Sequence, residues 1–546
     1  MKKYRCISTV SLLLLEVFAV AADRLPFPNA QSVNLWRLEK RQAELQALVN
    51  DEEQVVFKKP KFSEFPPQWF EQPLDHFSKD SPTFGQRYWV SKRHYKKGGP
   101  VIVLDGGETS GENRLLFLDT GIVDILAKAT NGLGVILEHR YYGESIAVPD
   151  LSTDSLRWLN NDQSAADSAN FMRNVKFEGI DENLSAEDTP WIYYGGSYAG
   201  ARAAHMRVLY PDIVFGAIAS SGVTHASLEN WEYMDIIRAA AEPECSQHLV
   251  TSIAVIDGLL AVPRLRGAIK GLFGLAELEH DDDFAGVIES PLGSWQSKNW
   301  DPKLGSTKFD QFCEALAKPL GKLNATQSVS LAGGLDVPVT VWNYANYIKE
   351  NYVSKCPEDA TIEDCFGSYD DSKFQGTDLS LHWRLWLFQV CTEWGYFVTA
   401  PPDPEFPRIV SRQLTLETQS RICQQAYPPG KHFQVPALPN ITAVNVLGDF
   451  AIAADRLAII DGEVDPWRPD TPHSQNAEDR NDTILQPFKL IPNAVHHYDE
   501  YGLTDIRDEP LEIMQIHLEM IHFVKEWLKD WDTVLKERRQ RSKSTC

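Results

Sequence analysis

A serine flanked by small residues, followed far downstream by an acid and then by a histidine pair, concentrates the chemistry of this sequence. The serine is Ser197, in Tyr194-Gly195-Gly196-Ser197-Tyr198-Ala199-Gly200. It follows an apolar run at 191–194 and precedes a helix-like stretch at 201–210 that Pro211 closes. Strand, tight turn and helix form the setting in which a nucleophilic serine is held on a strained turn. Such a turn needs small residues two positions away on either side, and Gly195 and Ala199 fill those places. Ala199 departs from a strict Gly-x-Ser-x-Gly pattern but is still small.

A serine hydroxyl is a weak nucleophile until a base takes its proton and a carboxylate holds that base in the right tautomer. Asp465 lies in Asp461-Gly-Glu-Val-Asp465-Pro-Trp467, and His496 in Asn493-Ala-Val-His496-His497-Tyr-Asp499. Serine, acid, histidine is the chain order of hydrolases built on such a turn, and it favours Asp465 and His496. Asp461 and Glu463 compete as the acid, Asp499 as a local orienting group, and His497 as the base. The oxyanion would meet the Tyr198 backbone N–H at the helix start and a second donor from Gly106-Gly107-Glu108, with Gly107 the expected one. One such donor lowers a barrier by about 3 kcal/mol. His517 and His522 read as packing or surface residues of a C-terminal helix. Glu279-His280-Asp281-Asp282-Asp283 lacks a regular ligand spacing and reads as a solvated loop, so neither a metal nor another cofactor is expected.

The elements that must position these residues are short apolar runs at 101–104, 135–137, 191–194, 217–219, 457–460 and 488–491, separated by helical stretches. Most of them run into Gly, Asp or Ser at one edge, as in a mostly parallel sheet with crossover helices. The fold class is therefore α/β: an α/β-hydrolase core with an inserted, mainly helical cap domain. The strand rhythm lapses over 225–380, which is assigned to the cap. The core is split into 65–224 and 381–532, leaving a basic tail at 533–546 that reads as disordered from Lys536 onward. Within 511–528, Met514, Leu518, Ile521 and Leu528 recur at helical spacing and should face the sheet.

Acidic residues outnumber basic ones by 76 to 53, a net charge of −23 that repels nucleic acid and suits mildly acidic surroundings. Lys2, Lys3 and Arg5 precede an apolar run at 7–20 and the small residues Ala19-Val20-Ala21, which reads as a cleaved secretion signal over 1–21. Residues 22–64 form an N-terminal segment, a candidate propeptide with a dibasic Lys40-Arg41. No other apolar run reaches spanning length, so no stable membrane insertion is expected. An exported chain meets oxidising conditions, and the simplest count is three disulfides with Cys546 left over. Closeness pairs Cys356 with Cys365, and order pairs Cys245 with Cys313 and Cys391 with Cys423. Acceptor sequons at Asn183, Asn324, Asn440 and Asn481 fit a secreted glycoprotein.

Glu138-His-Arg-Tyr-Tyr-Gly-Glu-Ser145, the serine turn, Asp465-Pro-Trp467 and His496-His497 together resemble the prolyl carboxypeptidase and dipeptidyl peptidase II family. Leu156-Arg-Trp-Leu159 before Asp162-Gln163, and Cys391-Thr-Glu393, resemble further patterns of that family in the same order. The likeness spans most of 65–530. It implies that Ser197 is the nucleophile, Asp465 the acid and the first histidine of the pair, His496, the base. It implies cleavage after proline in peptides, with carboxypeptidase, dipeptidyl peptidase and internal cutting all represented in the family. Arg468-Pro469-Asp470 stands where animal members carry a glycine run, which would stiffen and recharge that loop. Trp467 and Tyr198 are the candidate aromatic walls for proline and Glu108 a candidate substrate contact. The partners expected are proline-containing peptides, in the extracellular space or a vacuolar or lysosomal lumen, with homodimerisation left open. An esterase or lipase on the same machinery, and an inactive binding protein on the same fold, are the alternatives.

Overall fold

The computed structural model describes residues 62–330 and 335–544. The expected signal over 1–21, the Lys40-Arg41 pair and Cys546 lie outside the described residues, as does all but the end of the segment 22–64.

Eight strands form one sheet: β1 (Gln68–Pro73), β2 (Thr83–Ser91), β3 (Val101–Asp105), β4 (Leu133–Leu137), β5 (Trp191–Gly196), β6 (Gly216–Ser220), β7 (Leu457–Gly462) and β8 (Phe488–Ile491). Their order across the sheet is β1-β2-β4-β3-β5-β6-β7-β8. The first two pairings are antiparallel and the rest parallel. Parallel neighbours need long crossovers, and helices supply them on both faces. Every residue of β3 to β7 is buried, so these strands read as continuous apolar runs rather than alternating ones. The alternation appears in which core each residue joins. Ile102, Leu104, Ile192, Tyr194, Ile218 and Ile460 face one cluster, while Val101, Val103, Trp191, Tyr193, Ala217 and Ile459 face the other. This mainly parallel sheet, crossed over by helices with a serine turn after β5, is an α/β-hydrolase core.

Helix α1 (Asn161–Asn174) precedes β5, and α2 (Tyr198–Leu209) follows it directly. After β6 the chain leaves the sheet at Ser220 and returns only at Leu457. The intervening excursion is mainly helical, and the expected boundary at 380 does not coincide with a return to the sheet. Cys245–Cys313, Cys356–Cys365 and Cys391–Cys423 are bonded, all within this excursion.

Two expectations at the C-terminus are corrected. Helix α3 (Leu511–Lys529) buries Ile513, Ile516, Met520, Phe523, Val524 and Trp527; of the expected row, Ile521 and Leu528 pack partly buried against the same core, whereas Leu518 is exposed, so the seam is centred on the neighbouring row of side chains. The basic tail is helical rather than disordered, as α4 (Trp531–Ser544). Trp531 meets the Phe215 ring edge-on at 5.2 Å, Arg538 lies over the Trp531 ring, and Arg539 pairs with Asp188. These contacts anchor a segment whose charge density alone suggests a solvated tail.

Candidate functional site

Ser197 sits between β5 and α2 at φ +61°, ψ −126°, a region that costs a non-glycine residue of order 1–3 kcal/mol. Its N–H donates to the Ser220 carbonyl at 2.9 Å, tying the turn to the end of β6. The small neighbours are sterically required. A Cβ on Gly195 would lie 1.9 Å from the Ala199 carbonyl oxygen, and one on Gly200 2.6 Å from that of Ser220. The Ser197 side chain caps no amide of α2, so its partly buried hydroxyl stays out of the helix hydrogen bonding.

Asp465 and His496 follow β7 and β8, neighbours at the sheet edge where Ser197 emerges. His496 Nδ1 lies 2.8 Å from Asp465 Oδ2, with both side chains buried. Asp465 Oδ1 accepts the Trp467 N–H at 2.9 Å. Burial would raise the Asp465 carboxyl, but the His496 charge and hydrogen bond, with the Trp467 amide and Ser221 hydroxyl, hold it below its ordinary value. His496 Nε2 is buried and makes no hydrogen bond. Each competitor is engaged elsewhere. Asp461 Oδ2 faces His473 Nδ1 at 2.6 Å, Glu463 accepts the Asn493 N–H, and His497 Nδ1 lies 2.9 Å from Glu500. Asp499 accepts from the Tyr194 and Ser220 hydroxyls, and burial pushes its carboxyl up to about 6.

The loop after β3 approaches the serine turn as expected, and its Gly107 N–H donates within the loop to Asp105 Oδ1 at 3.0 Å. Gly107 also supplies shape: at φ +64°, a Cβ there would lie 3.2 Å from the Ala199 Cβ. Asp105 also pairs with Arg202 of α2 at 2.7 Å and accepts the Tyr193 hydroxyl, so one buried carboxylate links this loop to the serine helix. Burial opposes its charge, but Arg202, His139, the Tyr193 hydroxyl and the Gly107 amide together hold it below its ordinary value. Glu108 is partly buried and its charge bears on Tyr142.

The Glu138–Ser145 run builds the floor beneath this loop. Glu138, fully buried, accepts from Arg87, Ser110, the Gly111 N–H, and the N–H and hydroxyl of Ser145. Arg140 pairs with Asp167 and donates to the Leu74 and Trp158 carbonyls. The Asn161 N–H donates to Glu393, which joins two sequence patterns 232 residues apart.

Tyr198 does not form an aromatic wall. Its ring is buried against Trp386 and Trp394, and its hydroxyl bonds His139 and the Gln389 amide. Trp467 is 6% exposed and meets Tyr233 and Tyr396 edge-on, each at 5.2 Å; its centroid is 6.5 Å from the His496 ring. Several contacts escape sequence reasoning. Trp295 Nε1 donates to the Val464 carbonyl, Trp300 Nε1 to the Tyr498 carbonyl, and Trp467 Nε1 to Gln296, so the excursion grips both the acid and the histidine loops.

The acidic stretch at 279–283 is held by cations of the protein. Arg421 pairs with Asp282 and Lys270 with Asp281, while Ser368 bonds Asp283. Among the described residues no cluster of three or more His, Cys, Asp or Glu is placed to hold a metal. All four sequon asparagines are exposed.

Residues 72–515 match the family described as serine carboxypeptidase S28. A probable extracellular serine carboxypeptidase of Arthroderma benhamiae is 40% identical over 494 residues, covering 85% of this chain and 68% of that protein. The serine protease vicPa of Bipolaris victoriae is 27% identical, covering 85% and 88%. The lysosomal Pro-X carboxypeptidase of Mus musculus is 27% identical, covering 85% and 89%.

Proposed function

The chain belongs to the serine carboxypeptidase S28 family and is a serine-type peptidase, and from that premise we propose that it cleaves peptides after proline through Ser197, Asp465 and His496. The observation that carries the triad is the buried Asp465–His496 hydrogen bond, which leaves Nε2 unbonded at the edge where Ser197 is strained outward. With Nδ1–H donated to the carboxylate, Nε2 carries the lone pair and can act as a base. His496 takes the proton from Ser197 as Oγ bonds the scissile carbonyl carbon. It returns that proton to the leaving amine as the C–N bond breaks, and water repeats the sequence on the acyl-enzyme. The Tyr198 N–H at the start of α2 is the proposed oxyanion donor, aided by the positive end of that helix. Gly107 brings the opposing loop close and is the proposed second donor, its amide held by Asp105 in the absence of substrate.

Preference for proline rests on the family resemblance and on the named activity of the mouse relative; the carboxypeptidase mode is favoured by the name of the fungal relative. The secretion signal in the sequence and the exposed sequons favour export to the extracellular space or a lysosomal or vacuolar lumen. The cap is proposed to span about 225–380 and to sort peptides by their ends. Mass-spectrometric mapping of cuts in proline-rich peptides with free and blocked C-termini, for the wild type and Ser197→Ala, tests this reading. Cuts after proline that need a free C-terminus and vanish in the variant are expected. Cleavage surviving Ser197→Ala removes the nucleophile, and ester hydrolysis without peptide hydrolysis moves the reading to an esterase.

A further inference from the structure

Nucleophile, acid and base come from three loops, the serine turn lying far upstream of the acid and histidine loops, which are 31 residues apart, and one dipeptide at the end of β6 bears on all three. The Ser220 carbonyl accepts the Ser197 N–H at 2.9 Å. The Ser221 Oγ accepts the His497 N–H at 2.9 Å, immediately after His496. Ser221 is fully buried, its N–H is fixed to the Ile460 carbonyl at 2.7 Å, and its φ is +44°. A hydroxyl that accepts from an amide still has its own proton to donate. The Ser221 hydroxyl is among the groups that keep the Asp465 carboxylate charged.

We propose that Ser221 is a positioning residue of the catalytic machinery, its hydroxyl bridging the Asp465 carboxylate to the backbone of the His496 loop. The proposal rests on the triad assignment above. Backbone strain makes the case sharper. Serine at positive φ is disfavoured, and glycine would take that conformation freely, so a position that only turned the chain would be better served by glycine. A serine at a strained, fully buried site fits a hydroxyl with a task. The neighbouring Ser220 hydroxyl donates to Asp499 instead and plays no part in the bridge. Without the bridge, Asp465 would keep its bonds to His496 and the Trp467 amide but lose one stabilising donor, and the His496 loop would lose its hydrogen bond to Ser221.

The test compares Ser221→Gly and Ser221→Ala with the wild type and Ser197→Ala in the full chain. Readouts are kcat and KM on a prolyl peptide, the fluorophosphonate labelling rate of Ser197, the pH profile of kcat/KM, and Tm. Glycine relieves the strained φ and so guards against a variant that fails to fold. Both Ser221 variants should lose roughly 10- to 100-fold in kcat and in labelling rate, with KM within about twofold, as expected for an interaction that matters in the transition state. The acidic limb of kcat/KM should move to higher pH, because a carboxylate with one donor fewer favours the imidazolium. A folded Ser221→Gly with wild-type kcat and an unmoved pH profile overturns the proposal. Cleavage surviving Ser197→Ala would instead overturn the triad itself, so the two failures are distinguishable.

Discussion

Replacing Asp465 by asparagine separates the proposed acid from its neighbours. Both carboxylate oxygens act as acceptors: Oδ2 for His496 Nδ1 at 2.8 Å and Oδ1 for the Trp467 N–H at 2.9 Å. A carboxamide offers one acceptor where two are needed. If its NH2 faces His496, Nδ1 must become an acceptor, the ring proton moves to Nε2, and the base becomes a donor. If its NH2 faces Trp467, two N–H groups oppose each other inside a fully buried site, at a cost of about 1–3 kcal/mol for the unmet donor. The first arrangement is the cheaper one, and a base held in the wrong tautomer loses about 10⁴ in kcat, roughly 5.5 kcal/mol of barrier. The assay is kcat and KM on a prolyl peptide beside fluorophosphonate labelling. Asp465→Asn should fall by about four orders of magnitude with KM little changed. Asp461→Asn, which disturbs only the pair with His473, should stay within about tenfold of the wild type. The reasoning is refuted if Asp465→Asn keeps a tenth of the activity, or if Asp461→Asn falls as far.

Asp499, with its folded-state carboxyl pushed up to about 6 by burial, binds a proton more tightly folded than unfolded, so its contribution lowers stability as pH rises from about 4 through 6. The difference of about two pH units is of order 3 kcal/mol, and denaturation curves for Asp499→Asn should lack that decline; curves parallel to the wild type contradict it. Trp300→Phe keeps an aromatic ring, though a smaller one, and deletes the bond to the Tyr498 carbonyl, worth about 1 kcal/mol, and kcat should fall about fivefold; a lowered Tm with unchanged kcat would show that the bond only packs the excursion. Replacing Cys391 and Cys423 by serine removes a link closing a 32-residue separation and should cost about 4 kcal/mol in chemical denaturation, an effect absent if the bridge does not form in the protein as produced.

The sheet was legible because its central strands are buried on both faces and so stand out as unbroken apolar runs. The serine turn was legible because backbone atoms lie too close to Gly195 and Gly200 for any side chain. Chain order favoured Asp465 and His496, but only geometry shows Asp461 engaged by His473 and His497 beside Glu500. The Gly107 amide is less legible, because a glycine after β3 serves equally well as a donor or as a close-packing residue, and its engagement by Asp105 depends on a side-chain orientation that no pattern reports. Tyr198 was misread as a wall because its neighbour in sequence is the nucleophile. On a helix the next side chain points about 100° away, here into the His139 and Gln389 network. The face of α3 was misjudged by one row, since Met514 and Ile513 both fit helical spacing and only tertiary packing selects between them.

The grip of the excursion on the catalytic loops bears on how substrate enters. Trp295 holds the Val464 carbonyl, Gln296 the Trp467 indole and Trp300 the Tyr498 carbonyl, so one short stretch is bonded to the segments that carry Asp465 and His496. Swinging this stretch away as a lid would break three hydrogen bonds, about 1 kcal/mol each, and expose the Tyr233–Trp467–Tyr396 aromatic contacts. Even 3 kcal/mol confines such an opened state to below about 1% of molecules. Opening would also release the two loops whose spacing sets the Asp465–His496 bond, so an open form would be poorly arranged for catalysis. The arrangement therefore favours substrate entry with the excursion in place.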